Sequence, residues 1–284
     1  MRTFVGIKQK HLNNNLTMKE RLLIAFLILS TCLRAENLRL PDVRSCALGE
    51  NGVMLSSAFN PALIPLSTLK TLELSYSNRY MVKELGTIST SFQYPNETLS
   101  TGLFLSTFGY DEYRETMLRL AVGKKLGEHW SLGVGFQYSF VQTAMLEHTP
   151  ARLSTDIGVL YLPVEKLSVG LLIKDFPSVK LNQQGVDLDC FRAFAIQAGF
   201  QYEVLEHTLM AFYVGTDQDY RITGGLGIEY TFMEQFYLRG GVKISPLLPT
   251  FGIGYVLKSF RLDAAALYHT VLGVSLAVGL SFHF

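Results

Sequence analysis

Nowhere does the chain of 284 residues carry the roughly 18 consecutive apolar residues that a membrane-spanning helix requires. Hydrophobic residues nevertheless make up 48% of it and charged residues only 17%. An apolar chain without spanning helices can enter a bilayer only as a closed β-barrel, because lipid offers no partner to unpaired backbone groups. The net charge of +1 argues against nucleic acid as a partner. Cysteine is scarce, with 3 residues, and no group of Cys, His, Asp and Glu has the spacing of a metal site, so neither a metal nor another cofactor is expected.

Catalytic pairs are missing as well. Glu128-His129, Glu147-His148 and Glu206-His207 are adjacent, and neighbours on a strand point to opposite faces, so they cannot orient one another. Asp263 and His269 would share a face but stand roughly 20 Å apart along a strand. His148, in a long loop, escapes the strand restriction, yet an exposed loop histidine is usually only solvated. The chain is read as having no enzymatic activity.

What is present is a period of two. From Leu272 to Phe284, large apolar residues (Leu272, Val274, Leu276, Val278, Leu280, Phe282, Phe284) alternate with Gly273, Ser275, Ala277, Gly279, Ser281 and His283. That length and alternation suit a transmembrane β-strand. Trp130–Phe140 and Tyr220–Phe232 repeat the pattern. Similar segments near 70–79, 85–94, 98–109, 113–124, 152–162, 166–175, 191–202, 207–215, 235–244, 250–257 and 260–269 bring the total to about fourteen antiparallel strands, an even number that closes a barrel. The prolines all fall outside the expected strand interiors, and none provides a kink in the wall. The tightest connections (Pro95-Asn96-Glu97, Pro163-Val164-Glu165 and the turn at Lys258-Ser259) follow even strands, and the longest (141–151 and 176–190) follow odd ones. The long loops are thus expected on the outer side. A soluble β-sandwich is the rival fold, and it would have to cover both faces of many long strands.

Lys19, Glu20 and Arg21 precede the apolar run Leu22–Leu29, and Ser30–Ala35 offers a cleavage point after Ala35. Residues 18–35 therefore read as a cleaved signal peptide and 1–17 as an upstream extension. Acylation at Cys32 is the alternative, for which Thr31 is a poor neighbour. Residues 36–68 form a separate amino-terminal segment, and 69–284 the barrel.

The stretch LPDVRSCALGENGVMLSSAFNPALIPLS, Leu40–Ser67, contains Asn60-Pro61-Ala62. Together with Asp156-Ile157-Gly158 through Tyr161 and Pro163 to Leu167, Val169 and Gly170, and with the ending Leu272–Phe284, it resembles the long-chain fatty-acid transporter (FadL-type) superfamily of outer-membrane barrels. The likeness is greater to its PorV/PorQ-like branch, found with type IX secretion. The resemblance implies an amino-terminal plug, a fourteen-stranded barrel in the outer membrane, and an accessory or scaffold role in protein secretion or surface assembly. The alternative it implies is a passive, FadL-like transporter of small hydrophobic molecules gated by the plug. Expected partners are outer-membrane lipid, the outer-membrane assembly machinery with Phe282 and Phe284 as its signal, secretion-system proteins, and a hydrophobic small molecule.

Proline fixes φ and biases Asn60 away from helix, so Asn60-Pro61-Ala62 reads either as the turn that holds the plug or as an ordinary turn before the first strand. On the inward face the alternation places Glu73, Arg119, Gln137, Asp156, Lys174, Gln197, Gln201, Arg221, Glu229, Arg239, Lys243, Arg261 and Asp263. Arg119, Asp156, Arg221, Glu229, Arg239, Arg261 and Asp263 are the lumen candidates, expected to pair with one another or with the plug. Cys46 and Cys190 remain after signal removal. A disulfide between them would tie plug to barrel, although one is expected near the periplasmic entrance and the other at the outer rim.

Overall fold

Strict alternation sets the architecture: each long strand shows one face of large apolar side chains and one of small or polar ones, and a sheet with two such faces must curl to separate them. The computed structural model describes residues 42–144, 148–181 and 194–284. Its strands are β1 (Thr71–Asn78), β2 (Gly86–Tyr94), β3 (Ser100–Tyr110), β4 (Tyr113–Leu126), β5 (Trp130–Thr143), β6 (Ala151–Val164), β7 (Leu167–Lys174), β8 (Ser178–Leu181), β9 (Ala195–Leu205), β10 (Thr208–Asp217), β11 (Ile222–Phe232), β12 (Phe236–Ile244), β13 (Leu248–Leu257), β14 (Phe260–His269) and β15 (Gly273–His283). All but β8 form a closed, antiparallel, fourteen-stranded barrel, with β8 as an extra strand on β6. Every segment expected from the period of two is a strand of the wall.

Closure is made by the two ends of the barrel sequence. β15 pairs with β1 in the register Leu72 to Phe282 and Leu74 to Leu280. Beyond β15, Phe284 exchanges main-chain hydrogen bonds with Lys70 at 3.0 and 3.1 Å. The outer face is apolar all round, with Leu74, Leu105, Phe136, Leu171, Ile228, Leu238, Ile253 and Val278 exposed. Water would penalise such a surface, and a lipid core would not. At the end carrying the tight turns, rings stack in pairs on this face: Trp130 on Tyr161 (4.6 Å), Phe236 on Tyr255 (4.6 Å), and Phe260 on Phe282 (4.9 Å). Such a girdle marks a membrane interface.

Three expectations need correction. Two prolines do lie within strands: Pro163 in β6, where the register to β7 shifts between Tyr161 and Val164, and Pro249 near the start of β13. Both sit near strand ends, where a missing N–H costs least. The wall is also interrupted beside a proline. β7 and β8 run along β6 in one line, opposite Ile157–Val164 and Ala151–Ser154, but Asp175-Phe176-Pro177 bends out between them. Two main-chain bonds hold the bend to β6, from Phe176 to the Thr155 carbonyl (2.8 Å) and from Thr155 to that of Pro177 (3.1 Å). Third, Arg221 precedes β11 and lies in a rim turn. There its main-chain N–H donates to Asp217 Oδ1 at 2.9 Å. Residues 1–35 and Cys190, which carry the extension, signal and disulfide expectations, lie outside the described residues.

The described part of the amino-terminal segment lies inside the barrel. It comprises helix α1 (Val43–Ala47), helix α2 (Gly52–Leu55) and a 3-10 helix at Pro61–Leu66. Asp42 and Asn51 cap the two helices by accepting from Ser45 N–H (3.1 Å) and Met54 N–H (3.2 Å). The main core is the contact of this segment with the wall: Leu48, Val53, Met54 and Leu55 pack with Leu160, Leu172 and Tyr213.

Candidate functional site

Small inward residues leave a socket that the plug backbone fills. The plug runs round the lumen: α1 lies against β12 to β15, α2 against β7, β9 and β10, and the 3-10 helix against β3 to β6. Wall glycines allow this approach. A Cβ on Gly225 would collide with the Gly49 carbonyl, and one on Gly133 with the main chain at Pro61 and Ala62. Wall hydroxyls bind the plug backbone too. Thr250 Oγ1 donates to the Ala47 carbonyl (2.9 Å) and accepts from Gly49 N–H (3.1 Å), while Ser131 Oγ donates to the Ala62 carbonyl (2.7 Å).

Asn60-Pro61-Ala62 sits at this contact. Asn60 is fully buried; its Oδ1 accepts from Ala62 N–H (3.1 Å), capping the 3-10 helix, and its Nδ2 donates back to the Val53 carbonyl (2.8 Å). Proline at the first helical position sacrifices no bond. Gly158 on β6 makes room for Asn60 Oδ1, where a Cβ would collide. The triplet therefore buckles two turns of the plug together and lays them on β4 to β6.

Six of the seven lumen candidates gather into two buried networks. In the first, Arg44 of the plug grips Glu229 with two bonds (2.6 and 3.0 Å), Arg239 bridges Glu229 and Asp263 (2.6 Å each), and Arg261 completes the chain on Asp263 (2.8 Å). In the second, Arg119 meets Asp156 at 2.9 Å and donates to the carbonyls of Ala58 (2.6 Å) and Phe59 (2.9 Å) in the plug. Asp156 Oδ1 accepts from the N–H of Asp175 (2.8 Å), the first residue of the wall bend, and Asp175 in turn accepts from Ser154 (2.7 Å). Lys174 lies over the Phe59 ring at 4.8 Å, and Lys243 pairs with Glu50 of the plug. Arg221 joins neither network. Buried charges persist only when paired in this way, and their partners bind plug to wall and plug to bend.

Sequence reasoning missed one apolar feature of the lumen. Phe104, Phe108, Met117 and Ala121 point inward from β3 and β4 and form a stripe with Leu85 and Tyr113 at the loop end and Ala58, Phe59 and Ile64 of the plug. The signal was available: Leu103, Phe104, Leu105 and Phe108 make β3 apolar on both faces. Arg44 and Glu50, the plug ends of two ion pairs, were also not singled out. Among the described residues no metal-binding group of His, Cys, Asp and Glu is present.

A fourteen-stranded, lipid-faced barrel whose amino-terminal segment fills its lumen defines a plugged transmembrane β-barrel. Structural comparison sharpens the class. The toluene transporter TodX of Pseudomonas putida aligns over 84% of this chain and 97% of its own, with a TM-score of 0.64 and 11% identity. A Pseudomonas aeruginosa FadL homologue aligns over 87% and 98% (TM-score 0.59, 10% identity), and the CymD monoaromatic hydrocarbon channel over 84% and 94% (0.58, 13%). The fold is that of the FadL-type outer-membrane barrels. These neighbours are transporters and channels, not enzymes. No protein-family model and no curated protein sequence matches the chain.

Proposed function

We propose that the protein is a passive transporter of small hydrophobic molecules, with the plug as its gate. The observation that carries this reading is the inward apolar stripe of Phe104, Phe108 and Met117, which descends from Leu85 to Phe59 and Ile64 of the plug. With the plug seated, Ala58, Phe59 and Ile64 cover the stripe, and where the plug withdraws it becomes lumen surface that favours an apolar solute over water. Methionine and aromatic side chains accommodate varied apolar shapes. At the foot of the stripe, Phe59 lies beside Lys174 and the wall bend at Asp175–Pro177. A ligand that displaced the plug would therefore arrive next to an interrupted wall. The likeness in fold to a toluene transporter and to monoaromatic hydrocarbon channels fits a ligand of that size.

The scaffold reading rests on the rim. Leu247, Val271 and Met81 are 70%, 81% and 64% exposed on neighbouring hairpins, a surface a partner protein could use. Nothing in that surface accounts for the inward stripe, so transport is the stronger reading. Uptake of radiolabelled toluene by cells producing the protein tests it. Faster uptake than in cells lacking the protein, lost on Met117→Asp with normal membrane levels, is the expected result. Uptake equal to that of the control overturns transport; partner proteins retained by wild type and lost in a Leu247→Ser/Val271→Ser variant would then favour the scaffold.

A further inference from the structure

The wall is taller on one side than on the other. β13 is the seventh neighbour of β5, counted through β4, β1 and β15, so the two strands stand opposite each other in the fourteen-stranded ring. The stacked rings of Trp130 and Tyr161, of Phe236 and Tyr255, and of Phe260 and Phe282 mark one membrane interface on both sides. Beyond Trp130, β5 runs on for thirteen residues to Thr143; beyond Tyr255, β13 runs back for only seven to Leu248.

On the tall side the outward residues themselves mark the other interface. The rings of Tyr138 and Phe140, eight and ten residues beyond Trp130, pair at 5.8 Å. The next outward position is polar, Gln142 beside Arg114, and Asp111 and Glu112 turn the adjoining hairpin. Eight to ten residues of tilted strand rise roughly 20–27 Å, which matches an apolar belt roughly 25 Å tall. On the low side that height is already the tip. Ile244 ends β12 eight residues beyond Phe236, and His269 ends β14 nine beyond Phe260. The outward face there stays apolar to the end, through Phe251, Tyr268 and Leu272, and the turns Ser245-Pro246-Leu247 and Thr270-Val271-Leu272 carry no charge. Leu247 and Val271 at the crests are 70% and 81% exposed. Their patch is continuous with the lipid-facing wall.

We propose that the low rim, formed by the β12–β13 and β14–β15 hairpins, is seated in the membrane leaflet away from the tight turns, with Leu247 and Val271 among its acyl chains, while the β4–β5 side stands clear in water. Lipid is the occupant because the strands are too short to lift these tips above the belt, and apolar tips held at that depth lose their exposure to water. The mouth of the lumen therefore slants, with its lower lip level with the lipid. This assignment concerns where the barrel sits and does not rest on the transport reading.

Spin labels on the full-length barrel, otherwise free of cysteine and held in dioleoylphosphatidylcholine vesicles, test the depth. Leu247→Cys, Val271→Cys and Glu112→Cys each carry one nitroxide, and its relaxation by oxygen, which concentrates in lipid, is compared with relaxation by a water-soluble nickel chelate. The oxygen-to-nickel ratio at 247 and 271 should be several-fold higher than at 112. Should a labelled tip hinder insertion, Trp130→Phe/Val271→Trp moves the single tryptophan of the chain to the crest, where bromine on the acyl chains should quench its fluorescence. Ratios at 247 and 271 equal to that at 112, or fluorescence of the double variant untouched by brominated lipid, would overturn the proposal and leave the tips to a water-borne partner protein.

Discussion

Arg119 on β4 reaches Asp156 on β6 across an entire intervening strand, at 2.9 Å, because β5 has Gly135 at the crossing point. A Cβ there would stand 2.7 Å from Arg119 Nη2. The device recurs on the other side of the barrel. Arg239 on β12 passes over Gly254 of β13 to Asp263 on β14, and a Cβ at Gly254 would lie 2.6 Å from Asp263 Oδ1. Two glycine windows thus let arginines tie strands that are not hydrogen-bonded neighbours.

Arg119→Met should lower thermal stability strongly, since removing one partner of a buried ion pair costs about 3–5 kcal/mol. Pairing it with Asp156→Leu should recover most of the loss, because the stranded carboxylate is then gone. Gly135→Val should behave like Arg119→Met. The temperature at which the folded, fast-migrating form disappears on electrophoresis measures all three. An Arg119→Met variant as stable as wild type would refute the assignment.

Gly158→Val should dislodge the plug while sparing the wall. Its new side chain meets Asn60 Oδ1, and plug residues yield more readily than a strand bonded on both sides. Conductance should rise well above wild type, and the plug should become accessible to protease. Unchanged conductance in a heat-modifiable barrel would mean that the buckle is not seated there.

Phe108→Asn should reduce hydrocarbon uptake by about tenfold, the ratio corresponding to roughly 1.4 kcal/mol, about half or more of the 1.5–3 kcal/mol typical of burying such a side chain. Phe136, of the same residue type, faces lipid on β5. Phe136→Asn should therefore leave initial uptake per inserted molecule unchanged. Equal losses in both would remove the argument for an inward path.

Deleting Phe284 should lower the amount of inserted barrel more than the activity of each inserted molecule. The residue closes the seam through its two main-chain bonds to Lys70 and stacks on Phe92 (6.4 Å) and Phe282 (5.3 Å). Quantifying heat-modifiable protein in membranes checks this, and wild-type levels would argue against it.

The wall was legible because a period of two survives in every long strand, from Trp130–Phe140 to Leu272–Phe284. Some partners were within reach as well: once Met233–Gln235 is recognised as the hairpin turn, Glu229 must face Arg239. Others were not, because they need strands whose register is set by the closed circle. Arg119 and Asp156 lie on different hairpins, and Arg44 finds Glu229 only when the plug is folded inside. The period of two carries the strand through Asp175 and leaves Phe176-Pro177 to the connection 176–190, because β7 alone is long enough to satisfy the strand pattern. Arg221 kept the inward parity of β11 but fell one residue beyond its end. Parity assigns a face and says nothing about where a strand stops.

The glycine-lined socket has a consequence for which part of the molecule can vary. At Gly133 and Gly225 the wall meets main-chain atoms of the plug (Gly49, Pro61, Ala62), so at those points it recognises a path of backbone. Elsewhere it reads side chains, through Arg44, Glu50, Asn60 and the apolar Leu48, Val53 and Met54. A plug of altered sequence would seal only if it kept those contacts as well as the path, and a single methyl group added to the wall at Gly133 or Gly225 would not be accommodated.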